Sequence, residues 1–238
     1  MIQLSQELRE LLEKTELLQN LLGERLERIA KIAIIQTFQN GNLIFSEGER
    51  CQGIFLILSG RIKMFKMSGA GREQIMGLLG AGDCLAGVPA FDGHCYAAFA
   101  VALEFVELLY FPREAFLKLL QQDAILSFNL LTIFSRQLRR FSQLIEALSL
   151  KDVSGRLATY ILLLSHQSAN SRDVELAITK GQLAAFMGTI PETLSRALQK
   201  MGHDGLLIVD GPKIRILDFQ RLQALAGDYT PNHRCLYS

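Results

Sequence analysis

Ile178 to Leu207 reads ITKGQLAAFMGTIPETLSRALQKMGHDGLL. Two short helical patterns meet there at a turn on Gly188. The second opens near Thr189, with Glu192 three residues later at capping-box spacing. Pro191 falls inside the first turn, where its missing N–H costs little. From there the faces separate. Leu194, Leu198 and Met201 recur at i, i+4, i+7 and predict a buried stripe, while Glu192, Ser195, Arg196 and Gln199 gather on another side. A short helix that offers a carboxylate, a hydroxyl, a guanidinium and an amide on one side, and docks by the other, is built to read base edges in a groove of DNA. The plainer alternative is a surface helix whose polar side is only solvated.

The residues that follow favour the first reading. Gly205 ends the helical pattern. Next come LLIV (206–209), Asp210-Gly211, and KIRIL (213–217). Asp-Gly between two apolar runs is a hairpin signal. Lys213 and Arg215 alternate with Ile214 and Ile216, so one face of the second strand is cationic and the other apolar. Helix–turn–helix followed by such a hairpin predicts a winged helix, the hairpin lying along phosphates while the helix enters the major groove.

Pro191-Glu192-Thr193-Leu194-Ser195-Arg196 resembles the recognition helix of the Crp/Fnr family of bacterial transcription regulators. Glu192 and Arg196 match the family's Glu-x-x-x-Arg. Many members carry Arg before that Glu, where this chain has Pro191. Ser195 is the Fnr-like variant, and the string is similar to the nitric-oxide-responsive Dnr and Hcp-regulator branches. The resemblance implies double-stranded DNA as partner, contacted by Thr189, Glu192, Thr193, Ser195, Arg196, Gln199, Lys200 and Lys213. It implies that Glu192, Ser195 and Arg196 read a TTGA-like half-site, and that RNA polymerase is a further partner. The chemistry permits such readout: Arg pairs bidentately with guanine, and Glu accepts from a cytosine amino group.

The chain has 238 residues and a formal charge of +1, enough length for two modest domains. A field attracting nucleic acid must therefore be local, at Arg136 to Arg140 and at Arg196, Lys200, Lys213 and Arg215. No apolar run reaches membrane length, which predicts a cytoplasmic protein without membrane contact. The four cysteines, Cys51, Cys84, Cys95 and Cys235, show no C-x-x-C spacing, and none precedes Cys51. Neither a zinc ribbon nor an iron–sulfur cluster is expected, and the thiols are expected to be reduced. His94, His166, His203 and His233 lie in separate segments without a nucleophile motif. Gly69-x-Gly71 reads as a hairpin turn, and no enzyme is predicted.

Before the long central helix, the pattern is that of strands. Leu4 to about Lys31 reads as helix, split at Gly23. From Phe38, short apolar runs alternate with glycines, which predicts a small antiparallel barrel or sandwich. GNLIFSEGE (41–49), FLILSGRIKMF (55–65) and GREQIMGLLGAGD (71–83) resemble the family's cyclic-nucleotide-binding β-roll. The roll should end near Tyr110-Phe111, with Pro112 at its exit. A long helix follows. Leu131, Phe134, Leu138, Phe141, Ile145 and Leu148 form a heptad seam, which suits a parallel coiled coil between two copies; a core helix of a monomer shows the same pattern. A homodimer would set two recognition helices roughly 34 Å apart, one turn of DNA. Ser149 to Asp152 reads as a hinge, Val153 to Ser165 as helix, and 166–173 as a polar loop. The expected fold is α+β: a cyclic-nucleotide-binding-like β-roll with N-terminal helices (1–122), a dimerisation helix (123–150), a winged helix-turn-helix (151–228) and a tail (229–238).

The segment GDCLAGVPAFDGHCYAA, 82 to 98, matches the part of the family's cyclic-AMP-binding members that supplies a Glu for ribose and an Arg–Ser pair for phosphate. Here those positions fall near Gly87, Cys95 and Tyr96. A buried phosphate without a cation is heavily penalised, so cyclic AMP is not expected. Leu85, Val88, Pro89, Phe91, Tyr96 and Phe99 predict either a filled core or a pocket for a flat apolar ligand. The Dnr and Hcp-regulator resemblance implies haem and nitric oxide sensing, with His94 as candidate metal ligand and Tyr96 beside the cofactor. Thiol oxidation at Cys84 or Cys95 is an alternative input. A regulatory module that docks a protein rather than DNA is the alternative output.

Overall fold

The structure, a computed structural model, describes residues 15, 17–19, 21, 23–85, 87–169 and 171–227. It divides into two compact units. One contains the described residues through Lys66 together with Met76–Leu138; the other contains Met67–Ile75 and the described residues from Arg139 onward. Residues 4–14 of the predicted N-terminal helix, and the predicted tail, lie outside the described residues.

In the first half of the chain, α1 (Glu24–Ile32) precedes strands β1 (Ile34–Phe38), β2 (Leu43–Phe45), β3 (Gly53–Ser59), β4 (Ile62–Met67), β5 (Glu73–Leu79), β6 (Cys84–Leu85), β7 (Phe99–Ala102) and β8 (Val106–Pro112). They form two four-stranded sheets, β1-β8-β3-β6 and β2-β7-β4-β5. This is the predicted roll, and it ends at Pro112 as expected. The run IFLIL in β3 is buried throughout, because both faces of this inner strand are covered. In β8, Val106, Leu108, Leu109 and Phe111 are buried and Glu107 and Tyr110 half-buried, so alternation is broken at Leu108-Leu109, where both faces of this inner strand are covered. β3 and β8 pair antiparallel through Phe55↔Tyr110 and Leu56↔Leu109. At the end of that ladder, a Cβ on Gly53 would overlap the Tyr110 ring and the Phe111 carbonyl, so only glycine fits. Each fully buried side chain here, such as Ile54, Ile62 or Phe111, contributes roughly 1.5–3 kcal/mol.

Two elements were not foreseen. A short helix, α2 (Gly87–Asp92), interrupts the roll between β6 and β7. A second helix, α3 (Arg113–Gln122), follows the roll directly and precedes the long helix α4 (Ala124–Leu150). Asp123 divides them: its Oδ1 accepts from the backbone N–H groups of Ile125 and Leu126, capping α4. Along α4 the predicted seam splits into two lines. Leu131, Leu138 and Ile145 are 62%, 68% and 65% exposed, while Phe134 and Leu148 are half-buried and Phe141 is exposed to a lesser degree.

The second unit holds α5 (Val153–Gln167), α6 (Lys180–Phe186), α7 (Pro191–His203) and α8 (Phe219–Ala226). Its sheet is β10-β11-β9, from β9 (Asp173–Glu175), β10 (Leu207–Asp210) and β11 (Lys213–Ile216). Of the expected hinge Ser149–Asp152, Ser149 and Leu150 belong to α4, which runs on to Leu150, and Asp152 caps α5 through the Gly155 N–H at 2.7 Å. Leu157, Ile161, Leu183, Leu194, Leu207 and Ile216 supply its core. The Asp-Gly hairpin forms as read, with Asp210 opposite Lys213 and Gly211 at φ 58°. The predicted loop 166–173 is shorter than expected, because α5 runs on to Gln167 and Asp173 already belongs to β9.

Candidate nucleic-acid interface

α7 starts one residue later than its spacing suggested. Ile190 is its N-cap, Pro191 its first residue, and no side chain caps it. The expected capping box at Thr189 and Glu192 is absent for a local reason. The Thr189 N–H bonds back to the Ala184 carbonyl at 2.9 Å, so Thr189 completes the turn after α6 instead of opening α7. A capping box does form one helix earlier. Thr179 Oγ1 accepts from the Gln182 N–H at 3.2 Å, and Gln182 Oε1 accepts from the Thr179 N–H at 2.9 Å. Glu192 is thereby left free in the first turn, where a carboxylate is favoured by the helix dipole.

Leu194, Ala197, Leu198 and Met201 are buried, and packing on α5, α6 and β10 holds the helix by this stripe. Glu192, Ser195, Arg196, Gln199 and Lys200 are all exposed; Thr189 and Thr193 are half-buried at the margin. The structure thus gathers five of the predicted reading residues on one accessible side.

The wing departs from its prediction. Lys213 and Arg215 are exposed, and Ile214 and Ile216 buried, as the alternation requires. Yet the outward face is not a cationic edge. β9 pairs with β11 through Lys213↔Glu175 and Arg215↔Asp173, and β10 places Asp210 opposite Lys213. Arg215 Nε and Nη2 donate to the two Asp173 oxygens at 2.6 and 3.2 Å. These bonds hold the Asp173 carboxyl below the usual carboxylate range and raise the Arg215 guanidinium further. A shallow groove of about 500 Å³ lies on this face, lined by Asp173, Glu175, Ile208, Asp210, Lys213 and Arg215 among others. Its three carboxylates outnumber its two cations. The sequence concealed this because the loop read over 166–173 takes in Asp173 and no strand was expected after it, whereas β9 brings Asp173 and Glu175 into register with the basic strand.

In the sensor segment, Tyr96 is buried and stacks on Phe45 with ring centroids 4.1 Å apart. Burial pushes its hydroxyl well above the usual phenol range. His94 is exposed on the turn after α2. Its Nδ1 lies 3.2 Å from Asp92 Oδ1, which also accepts the His94 backbone N–H and is held low mainly by that bond. Cys84 and Cys51 are buried and Cys95 is exposed; burial pushes the Cys51 thiol up. Gly87 lies beneath the Phe134 ring. Arg113, which the sequence did not single out, donates from Nε to the Ala90 carbonyl at 2.6 Å and closes the end of α2. Among the described residues no three His, Cys, Asp or Glu converge as a metal site. An exposed imidazole already bonded to Asp92, and a phenol packed away on Phe45, do not fit a haem enclosed in the roll.

Residues 35–123 match the cyclic nucleotide-binding domain and residues 155–225 the Crp-like helix-turn-helix domain. The chain is 30% identical over 193 residues to the transcriptional activator protein Anr of Pseudomonas aeruginosa, covering 79% of each protein. It belongs to the Crp/Fnr family of transcription regulators. Within that family it is also 32% identical to the fumarate and nitrate reduction regulatory protein of Salmonella typhimurium, covering 79% of this chain and 77% of the relative. The structure of FixK2 from Bradyrhizobium japonicum superposes with a TM-score of 0.72 at 22% identity, over 84% of this chain and all of that one, and shares the fold. No described helix is long and apolar enough to cross a membrane.

Proposed function

We propose that this Crp/Fnr regulator binds a TTGA-type palindrome as a homodimer, with α7 of each copy in a major groove. The observation that carries this is the division of α7: Leu194, Leu198 and Met201 hold it to the domain, and Glu192, Ser195, Arg196 and Gln199 stand free on one side. Pairing through α4 is supported by the line Leu131, Leu138 and Ile145, three large apolar side chains well exposed along one helix. RNA polymerase as a partner, a cytoplasmic setting and a role without catalysis belong to the same reading, and family membership supports them. The test is quantitative binding to TTGA palindromes and scrambled duplexes across a salt series. Affinity for the palindrome should fall on a log–log plot with a slope of about 0.9 per phosphate neutralised, and the scrambled duplex should bind far more weakly. Equal binding to both would remove the sequence-specific reading. No binding at low salt would favour the module that docks a protein.

For the input, nitric oxide or redox signals through haem is the reading drawn from the Dnr and Hcp-regulator resemblance. What supports it is that resemblance and the exposed His94 imidazole; Tyr96, packed on Phe45, lends it nothing, which leaves only a group held at the surface by His94. Its test is the visible spectrum of protein reconstituted with haem, before and after nitric oxide. A Soret band that shifts with nitric oxide and is lost in His94→Ala supports it. Without that shift, oxidation of the exposed Cys95 thiol or another small molecule is the input.

A further inference from the structure

The roll carries a glycine that its backbone does not require. Gly87 opens α2 without a left-handed φ, so alanine is tolerated there on backbone grounds. What excludes a side chain is Phe134 of α4. A Cβ on Gly87 would come within 2.7 Å of the ring's Cζ and closer still to Cε1. The same ring meets Phe91 edge-on, with centroids 5.6 Å apart and planes at 88°. Three residues further along α4, Gln137 Nε2 donates to the Cys84 carbonyl at 3.1 Å. Cys84 and α2 thus meet α4 through one hydrogen bond and one aromatic ring. By sequence, that ring also belongs to the stripe of Leu131 and Leu138, at i+3 and i−4 from them. Those two leucines are exposed, whereas Phe134 is half-buried because its ring is turned onto Gly87.

We propose that Phe134 is a built-in switch. Seated on Gly87, its ring fills the roll's signal segment from the chain itself and is withheld from the pairing stripe. Unseated, it joins Leu131 and Leu138, adds apolar area between two copies and tightens the dimer. A signal in the roll then acts by displacing this ring. The proposal rests on the α4 pairing read above.

The test uses the full chain without an effector. Gly87→Ala places a methyl where the ring sits, and the ring is the movable partner. Sedimentation equilibrium should show a dimer about tenfold tighter, the gain expected from burying part of an aromatic ring. Phe91→Ala removes the edge-on partner without touching Gly87 and should tighten the dimer to a lesser degree, about threefold. In a Phe134→Ala background, Gly87→Ala should change nothing. The proposal is overturned if Gly87→Ala and Phe91→Ala leave dimerisation unchanged or weaken it, or if the Gly87→Ala effect persists without the Phe134 ring. Because assembly is measured without DNA, a chain that binds no TTGA palindrome still reports on the switch, while one that never pairs removes the α4 reading itself.

Discussion

Two short helices of this chain handle apolar residues in opposite ways. α7 buries Leu194, Leu198 and Met201 and turns Glu192, Ser195, Arg196 and Gln199 outward. α2 leaves Val88 and Phe91 59% and 44% exposed, hides its glycine under Phe134 and presents few polar groups before Asp92. The first helix is fixed to its domain and free to meet something polar outside it. The second meets α4 through the Phe134 ring, is closed at its end by Arg113 on the Ala90 carbonyl, and leaves two apolar side chains uncovered. A reader of base edges needs a rigid mount with fixed donors and acceptors. A relay needs an attachment weak enough to exchange, since a signal shifts a population only where two arrangements are close in free energy.

This contrast breaks first at Leu194. It is fully buried, so Leu194→Ala should destabilise the winged unit by about 2–5 kcal/mol in urea unfolding, and DNA binding should fall with the folded fraction. A loss below about 1 kcal/mol would mean that α7 is not anchored by this stripe. Next is the exposed line on α4. Leu138→Ala should weaken the dimer by about tenfold or more while leaving each monomer's unfolding midpoint nearly unchanged, the reverse of the Leu194 result. A monomer as destabilised as Leu194→Ala would place Leu138 in a core instead.

The wing gives a smaller effect that sharpens the account of its charge. Asp173→Asn removes the carboxylate that occupies Arg215. Palindrome affinity should rise several-fold at low salt, and the salt slope should steepen by about 0.9 as one more phosphate is engaged. The pH dependence has the same sign. Arg215 lowers the Asp173 pKa, so the pair is intact above the ordinary carboxylate range and is lost only as pH falls through that lowered value. Near neutral pH Arg215 stays occupied, and an unchanged Asp173→Asn protein would show that the wing does not approach phosphates. The smallest perturbation is chemical. Among the three described cysteines, Cys95 should react first under mild alkylation, and Cys51 and Cys84 should lag, because both are buried and the Cys51 thiol is pushed up, leaving less thiolate. Mass mapping of labelled peptides checks the order.

The parts legible in the sequence were those set by local rules. The Asp210-Gly211 hairpin follows from turn chemistry, the roll from apolar runs cut by glycines, and the two faces of α7 from a 3.6-residue period. The parts that were not legible depend on partners distant in the chain. DVE at Asp173–Glu175 has too few apolar residues to signal a strand, and only pairing with β11 makes it one. The wing's charge was misjudged for the same reason. Gly87 read as a missing carboxylate position, and only the structure shows the Phe134 ring above it. His94 and Tyr96 are two residues apart in sequence yet part company in space, one exposed and the other stacked on Phe45.

The central claim is that the free side of α7 reads bases. The most direct measurement is the affinity of wild-type and Arg196→Ala protein for a TTGA palindrome and for the set of duplexes with each base pair of the half-site changed in turn. The account predicts a loss of about 1–3 kcal/mol for Arg196→Ala on the parent site, with discrimination flattened at one base pair per half-site and retained at the others. Unchanged affinity together with an unchanged base preference would contradict it.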